Sequence, residues 1–154
     1  MISETPLLFE ALAKTPVLAG LEEAALHLLA KEGIVHDFLA DEIIVREGDP
    51  GHSFYILVEG EVDVIKNLES PNAVSLATLK SPTFFGEMCV IDPVPRAATV
   101  FSVTEARALE IKNSTLHHLY KQMPEQYAIV ILNIARDLVR RLRKLDETFA
   151  ARAC

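Results

Sequence analysis

The sequence is poor in the residues that build most specialised scaffolds. It has no tryptophan, and its two cysteines, Cys89 and Cys154, show no CxxC or framework spacing. That argues against a disulfide scaffold or a zinc site and for a reducing cytoplasm. Long apolar runs are also missing. The longest is Tyr127–Leu132, far short of the ~20 residues a membrane-spanning helix needs. The N-terminal MISETPLLFE has neither a basic n-region nor a sustained apolar stretch, so a signal peptide is not expected. Basic residues are outnumbered: 15 Lys and Arg stand against 22 Asp and Glu, a net charge of −7. Such a balance excludes a general nucleic-acid binder, although a local basic patch stays open.

Catalytic groupings are equally sparse. His27, His36, His52, His117 and His118 fall into no metal-ligand spacing, and no Ser-His-Asp or Cys-His arrangement is visible. The expectation is a protein that is not an enzyme and carries no metal or cofactor.

The 154 residues suit one domain with one sizeable core, spanning 1–154, and three zones separate by periodicity. The first zone, 1–33, holds N-terminal helices. From position 5 onward apolar residues recur at helical spacing, as in Leu21, Ala25, Leu28 and Leu29, with Gly33 as C-cap. The second, 34–112, reads as short strands at Glu42–Arg46, Phe54–Val58, Glu61–Ile65, Val74–Leu79, Ala98–Val103 and Ala106–Ile111. Glycine- and proline-rich turns separate them, which suggests a small antiparallel roll or barrel. The third, 113–154, is helical again. Asn113 or Ser114 can cap a short helix, and Pro124 can begin a long one. In that long helix Ala128, Ile131, Ala135, Leu138, Leu142, Leu145 and Phe149 follow a 3-4 spacing, as a helix–helix seam would.

The informative stretch is FFGEMCVIDPVPRAATV, residues 84–100. Gly86 permits a tight turn, and Glu87–Ile91 can form one helical turn whose first amides, at Met88 and Cys89, are free donors. Pro93 and Pro95 stiffen the return to Arg96, nine positions after Glu87. Arg96 offers a fork of donors suited to phosphate, followed by the Ala97 and Ala98 amides. Ionised Glu87 can only accept, so it calls for hydroxyl donors. One phosphate beside a sugar hydroxyl would satisfy both. The plain alternative is an Arg–Glu salt bridge on a loop.

This stretch resembles the phosphate-binding cassette of the cyclic nucleotide-binding domain family: F-G-E, a short helix, then P-R-A-A-T-V. IIVREGDPGHSFYILVEGEVDV (43–64) and LATLKSPTFFGE (76–87) are similar to the family's strands, and the resemblance extends over nearly the whole chain. It implies a mainly β fold with flanking helices (α+β): an antiparallel β-roll or jelly roll with N-terminal helices and a long C-terminal helix. It also implies roles. Arg96 would pair with the cyclic phosphate, Glu87 with the ribose 2′-OH, and the Gly86 backbone would lie against the ribose. Amides at Met88 or Cys89, and at Ala97 and Ala98, would complete the cradle. Val64, Leu76 and Ala77 match positions lining the base pocket, and each is equally an ordinary core residue. Cys89 stands where a small residue is common and reads as a buried small hydrophobe.

In cGMP-preferring members the residue after the cassette Arg is often Thr. Ala97 lacks that hydroxyl, which favours cAMP over cGMP as the ligand. The resemblance further implies that the C-terminal helix closes over the base, with Arg141 and Leu142 at base-contact positions and Arg140 beside them. The later helical turns suit a homodimer. The basic run 140–144 reads as a solvated face rather than a DNA contact, and only AARAC follows the seam, too little for a helix-turn-helix. The expectation is a regulatory module, without its own output domain, that signals to an unknown downstream protein through its C-terminal helix. An interaction module of the same fold that binds no nucleotide is the alternative.

Overall fold

In the computed structural model the described residues are 6–153. Positions 1–5, with the start of the expected helical zone, and Cys154 lie outside them. Helices α1 (Pro6–Lys14) and α2 (Glu23–Glu32) flank a 3-10 turn at Pro16–Leu18. Eight strands follow: β1 (Ile34–Phe38), β2 (Ile43–Val45), β3 (Ser53–Glu59), β4 (Glu61–Lys66), β5 (Val74–Lys80), β6 (Thr83–Phe85), β7 (Thr99–Ser102) and β8 (Ala106–Lys112). The short α3 (Met88–Ile91) lies between β6 and β7, and α4 (Asn113–Gln122) and α5 (Pro124–Arg152) follow β8.

The strands form two antiparallel four-stranded sheets, ordered β1-β8-β3-β6 and β2-β7-β4-β5. The expected fold, mainly β with flanking helices, is present. The first sheet is covered on both faces, so β3 is an almost unbroken apolar run. Phe54 and Ile56 face the helices together with Leu109 and Ile111 of β8. Tyr55 and Leu57 face the inside of the roll, with Phe85, Val62, Val100 and Ala108. Strand alternation thus splits one sequence segment between two cores.

Two strands escaped the sequence reading. In β1 only Val35 packs against the helical core, and His36 and Asp37 interrupt its apolar pattern. β6 is three residues long. Gly33 caps α2 as expected, but in extended backbone (φ −69°) rather than the left-handed form. Space explains the glycine, since a Cβ there would lie 2.6 Å from Leu109 Cδ1. The expected caps of α4 sit inside its first turn, and Lys112 holds the N-cap position without a side-chain cap bond. Asn113 instead donates from its side chain to Cys89 O (3.4 Å) and from its backbone to His52 O (2.9 Å). It ties α4 to α3.

Helix α5 starts at Pro124, as its sequence predicts. Val130 and Ile134 are buried, and Tyr127 and Leu138 pack beside them. Leu138 therefore belongs to the stripe on the roll, not purely to the expected seam. Ala128, Ala135, Leu142, Leu145 and Phe149 stay exposed, Phe149 at 77%. Two amide side chains fasten the helix start to the N-terminal segment. Asn133 Nδ2 donates to Val17 O (3.1 Å) and Ala19 O (2.9 Å), and Gln126 Oε1 accepts from Glu22 N (2.8 Å).

Ile134→Ala should lower stability by roughly 2–5 kcal/mol in urea unfolding, through lost burial and a cavity. Val139→Ala, at an exposed site, should change it by less than about 0.5 kcal/mol. Equal losses at both positions would contradict this packing.

Candidate functional site

The two ends of the 84–100 stretch meet. β6 delivers Phe85 onto Tyr55 of β3, their rings stacked at 5.2 Å. The chain then turns at Gly86, whose φ of +79° is a left-handed conformation that favours glycine. A Cβ there would also lie 2.7 Å from Arg96 Nη1. Glycine is thus required twice, for the turn and for the approach of the guanidinium.

Arg96 folds back onto that turn. Its Nη1 donates to Gly86 O (3.1 Å) and contacts Cys89 Sγ (3.6 Å). Its Nη2 reaches Ser53 Oγ at 3.5 Å, and its guanidinium carbon lies 5.9 Å from the Tyr55 ring centroid. The Arg96 backbone is pinned to the β2–β3 turn: its N–H donates to Asp49 O and its C=O accepts from Gly48 N, both at 2.8 Å. Gly51, in the same turn, leaves space for the side chain, since a Cβ there would be 3.0 Å from Arg96 Nε.

Glu87 follows Gly86 and is 2% exposed. Arg141 of α5 brings Nη1 to 2.8 Å from its Oε1, and Nη2 to 2.9 Å from Asp137 Oδ2. Both contacts are ionic rather than well-directed hydrogen bonds, because neither oxygen receives an aligned N–H. Burial pushes the Glu87 carboxyl above its ordinary value, and Arg141 only partly offsets this. The site therefore holds a costly buried carboxylate, fixed in place by a helix distant in sequence.

The other expected residues distribute as follows. Met88 and Cys89 open α3, whose own bonds begin with Val90 N donating to Glu87 O (3.0 Å). Met88 is exposed, whereas Cys89 is buried with Sγ 3.2 Å from both Ser53 O and Gly86 O. Ala97 is exposed, Ala98 is buried, and the Ala97 carbonyl accepts from Lys66 Nζ (2.7 Å). Val64 pairs with Ala77 across β4 and β5 and packs against the roll's inner core. Leu76 is the extra residue of a β-bulge, 58% exposed. Of the three residues named on α5, Arg141 reaches the site, while Arg140 and Leu142 lie exposed.

The profile of the family described as "Cyclic nucleotide-binding domain" matches residues 35–123, more than half the chain. The chain belongs to the cyclic nucleotide-binding domain family. The domain is 28% identical over 141 residues to the CRP-like cAMP-activated global transcriptional regulator of Mycobacterium tuberculosis, covering 92% of this chain and 61% of that protein. It is 33% identical over 106 residues to the cAMP-dependent protein kinase regulatory subunit of Emericella nidulans, covering 68% of this chain and 25% of that one. The chain thus spans under two thirds of the length of these relatives. Among solved structures, the Thermus thermophilus catabolite activator protein superposes with a TM-score of 0.76 at 25% identity, over 88% of this chain and 62% of that one. The regulatory domain of Toxoplasma gondii PKA, crystallised with cAMP, gives 0.68 at 25% identity, over 76% and 46%.

Sequence reasoning missed four residues in this domain's site: Gly51, Ser53, Tyr55 and Asp137. Ser53 and Tyr55 alternate on β3, so their shared inward face was readable only once the strand's register was known. Asp137 stands four positions before Arg141 on α5, a spacing that marks a helix-surface pair.

Because folding raises the Glu87 pKa, the ionised carboxylate weakens the fold above its ordinary value of 4.5 and not below it. Glu87→Gln should therefore unfold at a higher temperature than the wild type at pH 7. Below pH 4.5 the advantage should vanish. Arg141 is half exposed and keeps Asp137, so the variant leaves no buried unpaired charge. Lower stability at pH 7 would show that the Arg141 pair outweighs desolvation.

Proposed function

We propose that this chain is a regulatory sensor whose ligand is a cyclic nucleotide, cAMP in preference to cGMP, and that α5 reports occupancy. The observation that carries the reading is the return of Arg96 onto the Gly86 carbonyl, one residue before the buried Glu87, so that both side chains belong to one turn. A guanidinium and a carboxylate at one turn suit a phosphate and a hydroxyl on one small ring. Arg96 takes the cyclic phosphate, with the amides at Met88 or Cys89 and at Ala97 and Ala98 around it. Glu87 accepts from the ribose 2′-OH, while Val64 and Ala77, with Leu76 at the rim, border the base. Ala97 offers no side-chain partner to a guanine amino group, and this favours adenine. Similarity to the cAMP-activated regulator of Mycobacterium tuberculosis and to the Toxoplasma gondii PKA regulatory domain crystallised with cAMP supports the choice.

Arg141 supplies the link to α5. A ribose hydroxyl that engages Glu87 competes with Arg141 for the same oxygen. Arg141 and its neighbours Arg140 and Leu142 are then released toward the base. Ligand biases the helix only by its different affinity for the two arrangements. α3 is joined to α4 by the Asn113 side chain, which donates to Cys89 O (3.4 Å), and Val90 packs against the helical core, so movement of α3 is felt by the helices. The exposed stripe Leu142, Leu145 and Phe149 is the seam for a second copy of the chain.

Isothermal calorimetry with cAMP and cGMP tests the binding step. cAMP should bind more tightly, and Arg96→Ala should weaken it at least roughly a hundredfold, because about two hydrogen bonds to a charged group are lost. No heat with either nucleotide would favour an interaction module of the same fold. In sedimentation equilibrium the wild type should run at twice the 17.0 kDa chain mass, and Leu145→Glu at the single mass. A monomeric wild type at all concentrations would remove the seam.

A further inference from the structure

Behind Arg96 the roll contains a polar chain that the ligand assignments leave unused. Ser53 Oγ lies 2.6 Å from Glu110 Oε2, and His36 Nε2 lies 2.9 Å from Glu110 Oε1. Ser53 is 3% exposed, and the Glu110 side chain 17%. β1, β8 and β3 are neighbours in one sheet, and Glu110 pairs directly with Tyr55, so the four side chains share its inner face. Nothing in the ribose or phosphate roles of Glu87 and Arg96 requires a second, partly buried carboxylate here.

The donor and acceptor logic fixes the hydrogens that Ser53 and His36 share with Glu110. Burial raises the Glu110 pKa, but the bonds from Ser53 and His36 outweigh it and hold the carboxyl below its ordinary value, so it is ionised. An ionised carboxylate only accepts. Ser53 must therefore spend its single hydroxyl hydrogen on Glu110 and His36 must donate from Nε2. What Ser53 has left to offer Arg96 is a lone pair. Both Glu110 oxygens are engaged, so the carboxylate is held at both ends.

We propose that Ser53 and Glu110 are positioning residues for Arg96: Glu110 orients the Ser53 hydroxyl so that it accepts from the guanidinium, which stays aimed at the anion site. The inference rests on the reading of Arg96 as the phosphate ligand. Neither Ser53 nor Glu110 touches the nucleotide in this scheme. Their effect is to reduce the freedom Arg96 must lose on binding, which is about 0.5–1.5 kcal/mol for one immobilised long side chain. His36 is the outer clamp.

The test is a double-mutant cycle on cAMP affinity by calorimetry, with the thermal midpoint recorded for each variant. Ser53→Ala and Glu110→Gln should each weaken binding about two- to twelvefold, the fold-change of that same energy. In an Arg96→Lys background, which lacks the guanidinium fork, both effects should disappear. A merely structural role would lower the thermal midpoint and carry the same loss into both backgrounds, and that result overturns the proposal. Wild-type affinity in both single variants overturns it too. If the wild type binds no cAMP, or Arg96→Ala binds as the wild type does, the phosphate reading itself has failed.

Discussion

The site is organised around one carboxylate held out of water at a cost to the fold. Glu87 sits nearly unexposed at the start of α3, where desolvation works against its charge. The charge that answers it comes from Arg141, far along the chain on α5. A local requirement of the loop is thereby met by a distant helix. Anything that supplies Glu87 with a better partner weakens the hold on α5, and anything that withdraws α5 leaves Glu87 in need of one. That reciprocity is a coupling free energy between a loop and a helix.

Under the proposed function, the rest of the fold is what would let this coupling act. α5 is fastened at its beginning, where Asn133 and Gln126 hydrogen-bond the segment between α1 and α2 and where Val130 and Ile134 are buried. Beyond Leu138 it is exposed and lies close to the roll mainly through Arg141. One end is therefore rigidly tied to the helical core, and the other is attached by a half-exposed ion pair. Arg96 shows the opposite design. Its backbone is tied to Gly48 and Asp49, and its side chain is held by Gly86 O and faces Tyr55. The loop thus has one charge tied within the roll and one paired with a distant helix.

Much of this was legible in the sequence, for physical reasons that differ by region. Alternation in EVDVIK announced β4, whose Val62 and Val64 pack into the roll, and the apolar run in SFYILVE announced β3, which is buried from Ser53 to Leu57. β1 and β6 were not announced: one carries His36 and Asp37 among few apolar residues, and the other is too short to show a period. The pair Gly86 and Arg96 was readable because a glycine and a forked cation at fixed spacing carry their own chemistry. Ser53, Tyr55 and Glu110 were not, because their chemistry comes from strand register, which pairs Tyr55 with Glu110 across 55 and 110. Arg141 was singled out for the base by resemblance, and its contact with Glu87 depends on how α5 lies, which local sequence does not encode.

The claim that Glu87 and Arg96 hold one sugar-phosphate ring is tested most directly by comparing cAMP with 2′-deoxy-cAMP on the wild type and on Glu87→Gln, with calorimetric dissociation constants. The deoxy ligand should bind the wild type about tenfold or more weakly, the worth of one hydrogen bond to a charged group. It should bind the variant almost as well as cAMP does. An equal penalty on both proteins, or none on either, would contradict the account.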